Sequence, residues 1–555
     1  MPAVDAASLT AQFVKNLKEN GFRSRRQPTS DDEFDVHYFD LTPLKIRSGI
    51  YTPFLVLRRA SHGDISLDHY HSIIEKAADF FAHQSNSNFV VLLAGGQLTR
   101  QEEELRAHAA ASNVAILERR IMDAIATAQK GRPKERALGT ALGEVLGRLK
   151  LSPYVIGKHA IGSRFFGRRT QINKLMSGRQ GGGCTIVGNR RIGKTSLLKE
   201  VQSRMRADDP STLVADIYGG AKFQNTHEVL SAIVRGLQPD ARLLQDNTPN
   251  REPNLIRNFS SYIHSLADRD GKSIAVFIDE LDGLLTWDSE QNYRLLDILR
   301  EAFDHERCHI YFAGFRITME AKANKLCPLH NFGRLVQVGP LSREETVEMI
   351  TRPTENLGMD LSDSDLTGAI YSETAGQPEL IQYCGAELIH YFIEKGQVPD
   401  ATTLLTRVAE DRGYEQAIFG SFLQNSTARE RLACYLLIAH AEHLSAPLDS
   451  YEFGMATIDS LLQKHKVSMD EHDLYTLISN LQVGGFTTPV EGKQHEYRFS
   501  VPQFARYCMN LDLKFLTGKA LHEVNRARAD SKLSTLRSVQ EWAAESQTPE
   551  ARNHD

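Results

Sequence analysis

The segment VGNRRIGKTS, Val187–Ser196, contains two glycines separated by four residues and followed directly by a lysine and a threonine. A loop with this spacing, entered from an apolar strand and leaving into a helix, turns successive backbone N–H groups toward a phosphate chain. In that role Gly188, Asn189, Arg190, Arg191, Ile192 and Gly193 form the cradle. Lys194 reaches the terminal phosphates, Thr195 ligates Mg²⁺, and Ser196 closes the turn. Backbone amides do the holding, so Arg190 and Arg191 are tolerated inside the loop. Their side chains are expected to point outward, toward an adjoining domain or subunit.

A second stretch, SIAVFIDELDGLL, supplies the complementary acids. The apolar run Ala275–Ile278 reads as a strand buried on both faces, ending in Asp279 and Glu280. An acid at the strand tip, beside a phosphate loop, can hold the Mg²⁺ water shell, and its neighbour can polarise an attacking water. Asp279 takes the metal role and Glu280 the catalytic one. A nucleoside triphosphate with Mg²⁺ is the cofactor set this chemistry requires.

These residues need a framework. The chain has 555 residues, 41% of them hydrophobic and 24% charged, too many for a single core. The net charge of -5 excludes a global pull toward nucleic acid but leaves local basic stripes open. Six scattered cysteines form no paired metal-binding spacing and suit a reducing compartment. No apolar run is long enough to span a bilayer, so the expectation is a cytoplasmic protein with no membrane partner.

Along the chain the expected class is α/β. Residues 1–127 alternate helix and strand, with strands at FDVHYFDLT, TPFLVLRR, FVVLLAGG and VAILERR. Residues 128–159 read as a basic linker with one helix. Its Lys130, Arg132, Lys134, Arg136, Arg148 and Lys150 form either a solvated face or a nucleic-acid contact. Residues 160–340 alternate strand and helix again, and 341–424 are helical. Residues 425–516 read as helices followed by a two-stranded wing, with a turn near Glu491-Gly492, and a closing helix. Residues 517–555 are a polar helix and tail.

With these motifs in order, residues 160–515 resemble the AAA+/STAND group of P-loop ATPases, near the archaeal type. RFFGRRTQINKL resembles the box before the first strand, which implies Phe166, Gly167 and Arg168 near the adenine. HIYFAGFRIT resembles the sensor strand, with Arg316 as its nearest polar candidate. The stretch through PLSREE implies Arg334 as a finger acting on a neighbour or as a γ-phosphate sensor. TAGQPELIQYC resembles the lid turn, which brings Pro378 to the nucleotide. The resemblance implies ATP hydrolysis, a homo-oligomer formed on ATP binding, and a winged helix regulating the core.

The N-terminal region resembles an Mrr-type restriction-endonuclease core. Its expected metal-and-lysine position reads Val56-Leu57-Arg58, and a valine cannot ligate a metal. Asp35 or Asp40 would be left as a lone acid, so the resemblance implies a degenerate, binding-only domain, and an unrelated α/β interaction domain stays open beside it. His69 and His71, two apart on a helix, would face opposite sides and share no metal. The helix beginning Asp470-Glu471-His472-Asp473 offers no cation to phosphates, against ordinary major-groove reading. The leading expectation is a switch ATPase controlling self-assembly and an effector, in defence against foreign DNA. Two alternatives stay open: a DNA-bound AAA+ loader, or the regulatory ATPase of a two-protein nuclease system with a protein partner.

Overall fold

A computed structural model describes residues 14–15, 17–19, 24–27, 36–39, 54–58, 90–93, 114–117, 124–125, 127–129 and 131–545. Within the last range, residues 147, 178–182, 220–221, 240–253, 363–364, 424–425, 449 and 491 are excepted. The chain gathers into two compact units, residues 1–187 with 191–414, and residues 188–190 with 415–555.

The first unit begins with a five-stranded sheet ordered β1-β2-β3-β4-β5. Its strands are β1 (Ser24–Gln27), β2 (Val36–Phe39), β3 (Phe54–Arg58), β4 (Val90–Leu93) and β5 (Val114–Leu117). β1 to β3 pair antiparallel, and β3 to β5 pair parallel. Four of these strands fall inside the stretches expected from sequence. β1, with the sequence SRRQ, carries no apolar alternation to announce it. Val56 pairs with Val91 in the parallel ladder. Asp35, Asp40, His69 and His71 lie outside the described residues.

Helix α1 (Arg132–Leu146) and a helical turn at Arg148–Leu151 follow. Then come α2 (Arg169–Ser177), β6 (Gly183–Gly188), α3 (Lys194–Asp208), β7 (Leu213–Ile217), α4 (Thr226–Leu237) and α5 (Asn254–Asp270). The module continues with β8 (Ile274–Ile278), α6 (Leu281–Glu290), α7 (Arg294–Ala302), β9 (Cys308–Gly314), α8 (Arg316–Ala323) and β10 (Arg334–Val338). The strands form one sheet ordered β10-β6-β9-β8-β7, parallel in β6/β9, β9/β8 and β8/β7.

The sheet is covered on both faces, which is why its central strands are apolar throughout. Alternate residues of β8 serve opposite layers. Ile274, Val276 and Ile278 join a core with Leu230, Phe259 and Leu299, while Ala275 and Phe277 join Leu197, Val201 and Tyr311. The Phe277 and Tyr311 rings stack with centroids 4.8 Å apart. Burying an aromatic of that size contributes roughly 2–3 kcal/mol.

A helical lid follows, with α9 (Arg343–Asn356), α10 (Leu366–Thr374), α11 (Pro378–Lys395) and α12 (Ala401–Ala409). Ser342 and Glu345 close a reciprocal capping box on α9, as their S-x-x-E spacing requires. Residues 132–155, inside the 128–159 stretch expected as a linker with one helix, pack on this lid. α1 approaches α9 closely at Gly139, where an added Cβ would stand 2.3 Å from the Asn356 carbonyl oxygen. Arg148 Nε donates to the Leu357 carbonyl at 2.9 Å, and the Tyr154 hydroxyl donates to that of Met349 at 2.9 Å. α13 (Arg412–Phe422) runs across the division between the units.

The second unit is built on α14 (Ala428–His443), opened by a capping box between Thr427 and Glu430. β11 (Glu452–Gly454), α15 (Met455–Lys464), α16 (Glu471–Val483), β12 (Thr487–Pro489) and β13 (Glu496–Phe499) come next. The strands form an antiparallel sheet ordered β11-β13-β12. α17 (Pro502–Asn510) and the long α18 (Leu513–Glu545) complete it. The two-stranded hairpin expected from sequence is present with a third strand, β11, added to it. Among the described residues, no helix is long and apolar enough to cross a membrane.

Candidate active site

Parallel pairing gathers the chemistry at one edge of the β6–β10 sheet. Val187 pairs with Gly314 and Ile278 pairs with Phe312, so three connections open together at the strands' C-terminal ends. They are the phosphate loop after β6, the Asp279-Glu280 acids after β8, and the Phe315-Arg316 turn after β9. Because β9 lies between β6 and β8, the Phe315 turn sits between the loop and the acids.

The loop has the backbone its sequence demands. Gly193 takes φ 98 as the residue before α3, a conformation in which glycine alone is unstrained. Arg191 also lies in the left-handed region, at φ 60. The Arg190 N–H donates to the Asn189 side-chain oxygen at 2.7 Å. Ser196 is buried, and its Oγ accepts the Ala160 N–H at 3.0 Å.

Thr195 Oγ1 donates to Asp279 Oδ2 at 2.5 Å, so a hydroxyl and a nearly buried carboxylate stand side by side. These are hard oxygen donors of the type Mg²⁺ selects, and the donor set fits that ion. Asp279 Oδ1 also accepts the Glu280 N–H at 2.9 Å. Glu280 itself is exposed and has a left-handed backbone, φ 57, uncommon for a residue with a side chain. That kink ends the β8 direction and starts α6.

Lys194 Nζ lies 6.0 Å from the centroid of the Phe315 ring, and the Arg316 guanidinium lies 5.2 Å from the same centroid. One aromatic ring thus stands within cation–π range of both the loop lysine and Arg316. The turn that holds the ring is gripped from α6 by Asp282, a residue sequence reasoning had not singled out.

The Phe166-Gly167-Arg168 segment is anchored rather than loose. Arg168 is buried, with φ 61, and its N–H donates to Glu345 Oε1 at 2.6 Å. Its guanidinium donates to the carbonyls of Ile192 and Pro340, both at 3.2 Å. Burial pulls the guanidinium down to about 10, with Glu345 opposing. Gly167 lies at φ 65, where any Cβ would stand 2.6 Å from the Glu345 carboxyl group. Arg168 thereby ties the phosphate loop to the entry of the lid. Glu345, which also closes the capping box of α9, was not singled out in the sequence.

Pro378 stands at the start of α11 with Glu379 beside it. Arg191, expected to point toward an adjoining domain or subunit, reaches Glu379 of the helical lid at 2.9 Å within the same unit. Burial raises the Glu379 carboxyl above the ordinary range, and Arg191 counteracts that. His159, also unremarked in the sequence, has its imidazole held below the usual range by partial burial and by Lys199, with Asp279 acting the other way.

Arg334 does not join this group. It stands exposed at the start of β10, beside the opposite end of β6, where Gly333 comes within contact of Gly183. The Arg334 N–H faces the Cys184 thiol. The length of β6 separates it from the loop, roughly 13 Å at ~3.3 Å per residue, farther than its own side chain extends. All six cysteines are buried and free, and burial pushes each thiol up, so none is an activated nucleophile.

Residues 158–396 match the family model described as Novel STAND NTPase 1. No curated protein matches the chain significantly. Among solved structures the chain is similar to a Walker-type ATPase of Pyrococcus abyssi, at 17% identity and a TM-score of 0.46, covering 64% of this chain and 99% of that one. It is also similar to the ORC2 protein of Aeropyrum pernix in ADPNP–ADP complexes, at 14% identity and a TM-score of 0.42, covering 65% and 92%. A phosphate loop, a strand-tip acid pair and the Phe315-Arg316 turn meet at one sheet edge, inside residues 158–396, the segment similar to the STAND NTPase family.

Proposed function

We propose that this ATPase is a switch whose nucleotide state controls self-assembly. The observation that carries the reading is the position of Arg334. It is exposed and a strand's length from its own loop, so any nucleotide it serves belongs to a neighbouring copy. Within one copy Lys194 holds the phosphates, and Glu280 accepts the proton of the attacking water. Thr195 and Asp279 would hold Mg²⁺, which when bound supplies charge neutralisation of the phosphates. The Arg191–Glu379 and Arg168–Ile192 contacts link the loop to the lid, so filling the loop is felt there.

In this reading the N-terminal sheet is the sensor or effector-docking module, and the second unit, of winged-helix type, restrains or releases assembly. Defence against foreign DNA, with a protein effector or nuclease partner, is the setting proposed. The DNA-loader alternative draws less support. Arg148 is engaged with the Leu357 carbonyl and the Phe392 ring, and Arg136 lies 3.8 Å from Asp360. The first turn of α16 is acidic, and Arg429 already lies 3.6 Å from Asp473.

Particle mass measured by light scattering, with ADP and with a non-hydrolysable ATP analogue, tests the proposal. A larger particle with the analogue supports it, and the same mass in both states refutes it. Random DNA bound at about 50 mM salt, weakening steeply as salt rises, would favour the loader instead.

A further inference from the structure

Asp282 lies two residues beyond Glu280, in the first turn of α6. Its carboxylate does not face solvent in the manner of an ordinary first-turn acid. Oδ2 accepts the Phe315 N–H at 2.6 Å, and Oδ1 accepts the Thr318 N–H at 3.1 Å. One side chain therefore binds two otherwise orphaned amides at the start of α8. The contact crosses from the acid-bearing connection to the sensor turn, 33 and 36 positions along the chain.

Space for this carboxylate comes from Gly314. A Cβ there would stand 1.8 Å from Thr318 Oγ1 and 2.8 Å from Asp282 Oδ2. Phe315, whose N–H is held, has an irregular backbone with φ -129 and ψ -114 and opens α8. Its ring centroid lies 6.0 Å from the Lys194 ammonium and 5.2 Å from the Arg316 guanidinium. Fixing the Phe315 amide thus fixes the ring against both cations. The same side chain is two peptide units from Glu280, whose left-handed backbone is the pivot into α6.

We infer that Asp282 is a positioning residue for hydrolysis. It holds the Phe315-Arg316 turn in register with Glu280 and Lys194, so that turnover depends on it while nucleotide binding does not. The inference rests on the ATPase reading of this site. Its own content is the division between kcat and affinity, because Asp282 touches neither the phosphate loop nor the Thr195–Asp279 pair in the contacts described above.

The test uses the full chain. Equilibrium binding of a fluorescent ATP analogue and steady-state hydrolysis are measured for wild type, Asp282→Ala and Asp282→Asn. For Asp282→Ala, kcat is expected to fall at least about tenfold with the dissociation constant within about threefold of wild type. Asp282→Asn retains one accepting oxygen but turns an N–H₂ group toward the other amide, so an intermediate loss of about three- to tenfold is expected. If Asp282→Ala does not fold, the Asn variant alone decides, and wild-type kcat in it overturns the inference. Affinity and kcat falling together also overturn it, since they mark a general collapse of the site. Wild-type protein that binds but does not hydrolyse would refute the hydrolytic reading, and this assignment with it. Wild-type hydrolysis with an unaffected Asp282→Ala refutes the assignment alone.

Discussion

The guanidinium of Arg191 lies 2.9 Å from the carboxylate of Glu379, joining the phosphate loop to the first turn of α11. Burial holds the Glu379 carboxyl above its usual range, and Arg191 works against that shift. The folded state therefore binds a proton at Glu379 more readily than the unfolded state. The ionised carboxylate costs stability above that raised value, and the cost disappears as pH falls through it. Arg191→Ala should lower stability by roughly 0.5–1 kcal/mol near neutral pH, because the pair is partly exposed. The loss should shrink as pH falls through the raised Glu379 value, below which the carboxyl needs no cation. Urea unfolding at two pH values checks this, and an equal loss at both would contradict it.

Tyr154 tests whether residues 132–155 are held by the lid. An added Cβ at Gly385 would stand 2.5 Å from the Tyr154 ring, and the buried hydroxyl donates to the Met349 carbonyl. Gly385→Ala should cost about 1–3 kcal/mol by overpacking. Tyr154→Phe should cost about 1 kcal/mol, the net value of one hydrogen bond. In a Gly385→Ala/Tyr154→Ala double variant the two losses should not add, because the smaller side chain makes room for the methyl. Strict additivity in thermal or urea unfolding would show that the contact is not made.

Asp288 caps the helix that follows it. It is 1% exposed and accepts the N–H groups of Leu295 at 2.8 Å and Leu296 at 3.2 Å. Burial raises its carboxyl above the ordinary range, with both amides pulling it back. Asp288→Ala should lose about 1–2 kcal/mol of unfolding free energy. Asp288→Asn, keeping one acceptor, should lose less. Equal stability of all three proteins would remove Asp288 from the account.

Arg334 provides a test that needs two proteins. If it serves a neighbour's nucleotide, Arg334→Ala retains a competent loop and Lys194→Ala retains a competent arginine. Neither should hydrolyse ATP alone, and an equimolar mixture should recover a measurable fraction of wild-type turnover. A mixture as inactive as its parts would place Arg334 outside the reaction.

Much of the framework was legible because its signals are local. CTIV and IAVFI are unbroken apolar runs, as strands buried on both faces must be, and the glycine spacing and the strand-tip acids stand beside them. β10 was not singled out, because RLVQV is short and exposes Arg334 and Gln337 on its edge. β11 is only three residues long and gains its partners from β13. What sequence could not supply was order across the sheet. The insertion of β9 between β6 and β8 brings Phe315 to Lys194, and the start of β10 beside the far end of β6 keeps Arg334 away from the loop. Asp282 looked like any helix-opening acid, because its partners lie more than thirty residues away. The partner of Arg191 could not be named for the same reason, Glu379 of the lid lying 188 positions on.

The central claim is hydrolysis directed by Glu280 in a loop filled through Lys194, and one paired measurement tests it most directly. ATP binding and steady-state turnover are compared in Glu280→Gln, with Lys194→Ala as the reference for an empty loop. The account predicts wild-type affinity in Glu280→Gln with turnover lower by about a hundredfold or more, and no binding in Lys194→Ala. Undiminished turnover in Glu280→Gln would contradict it.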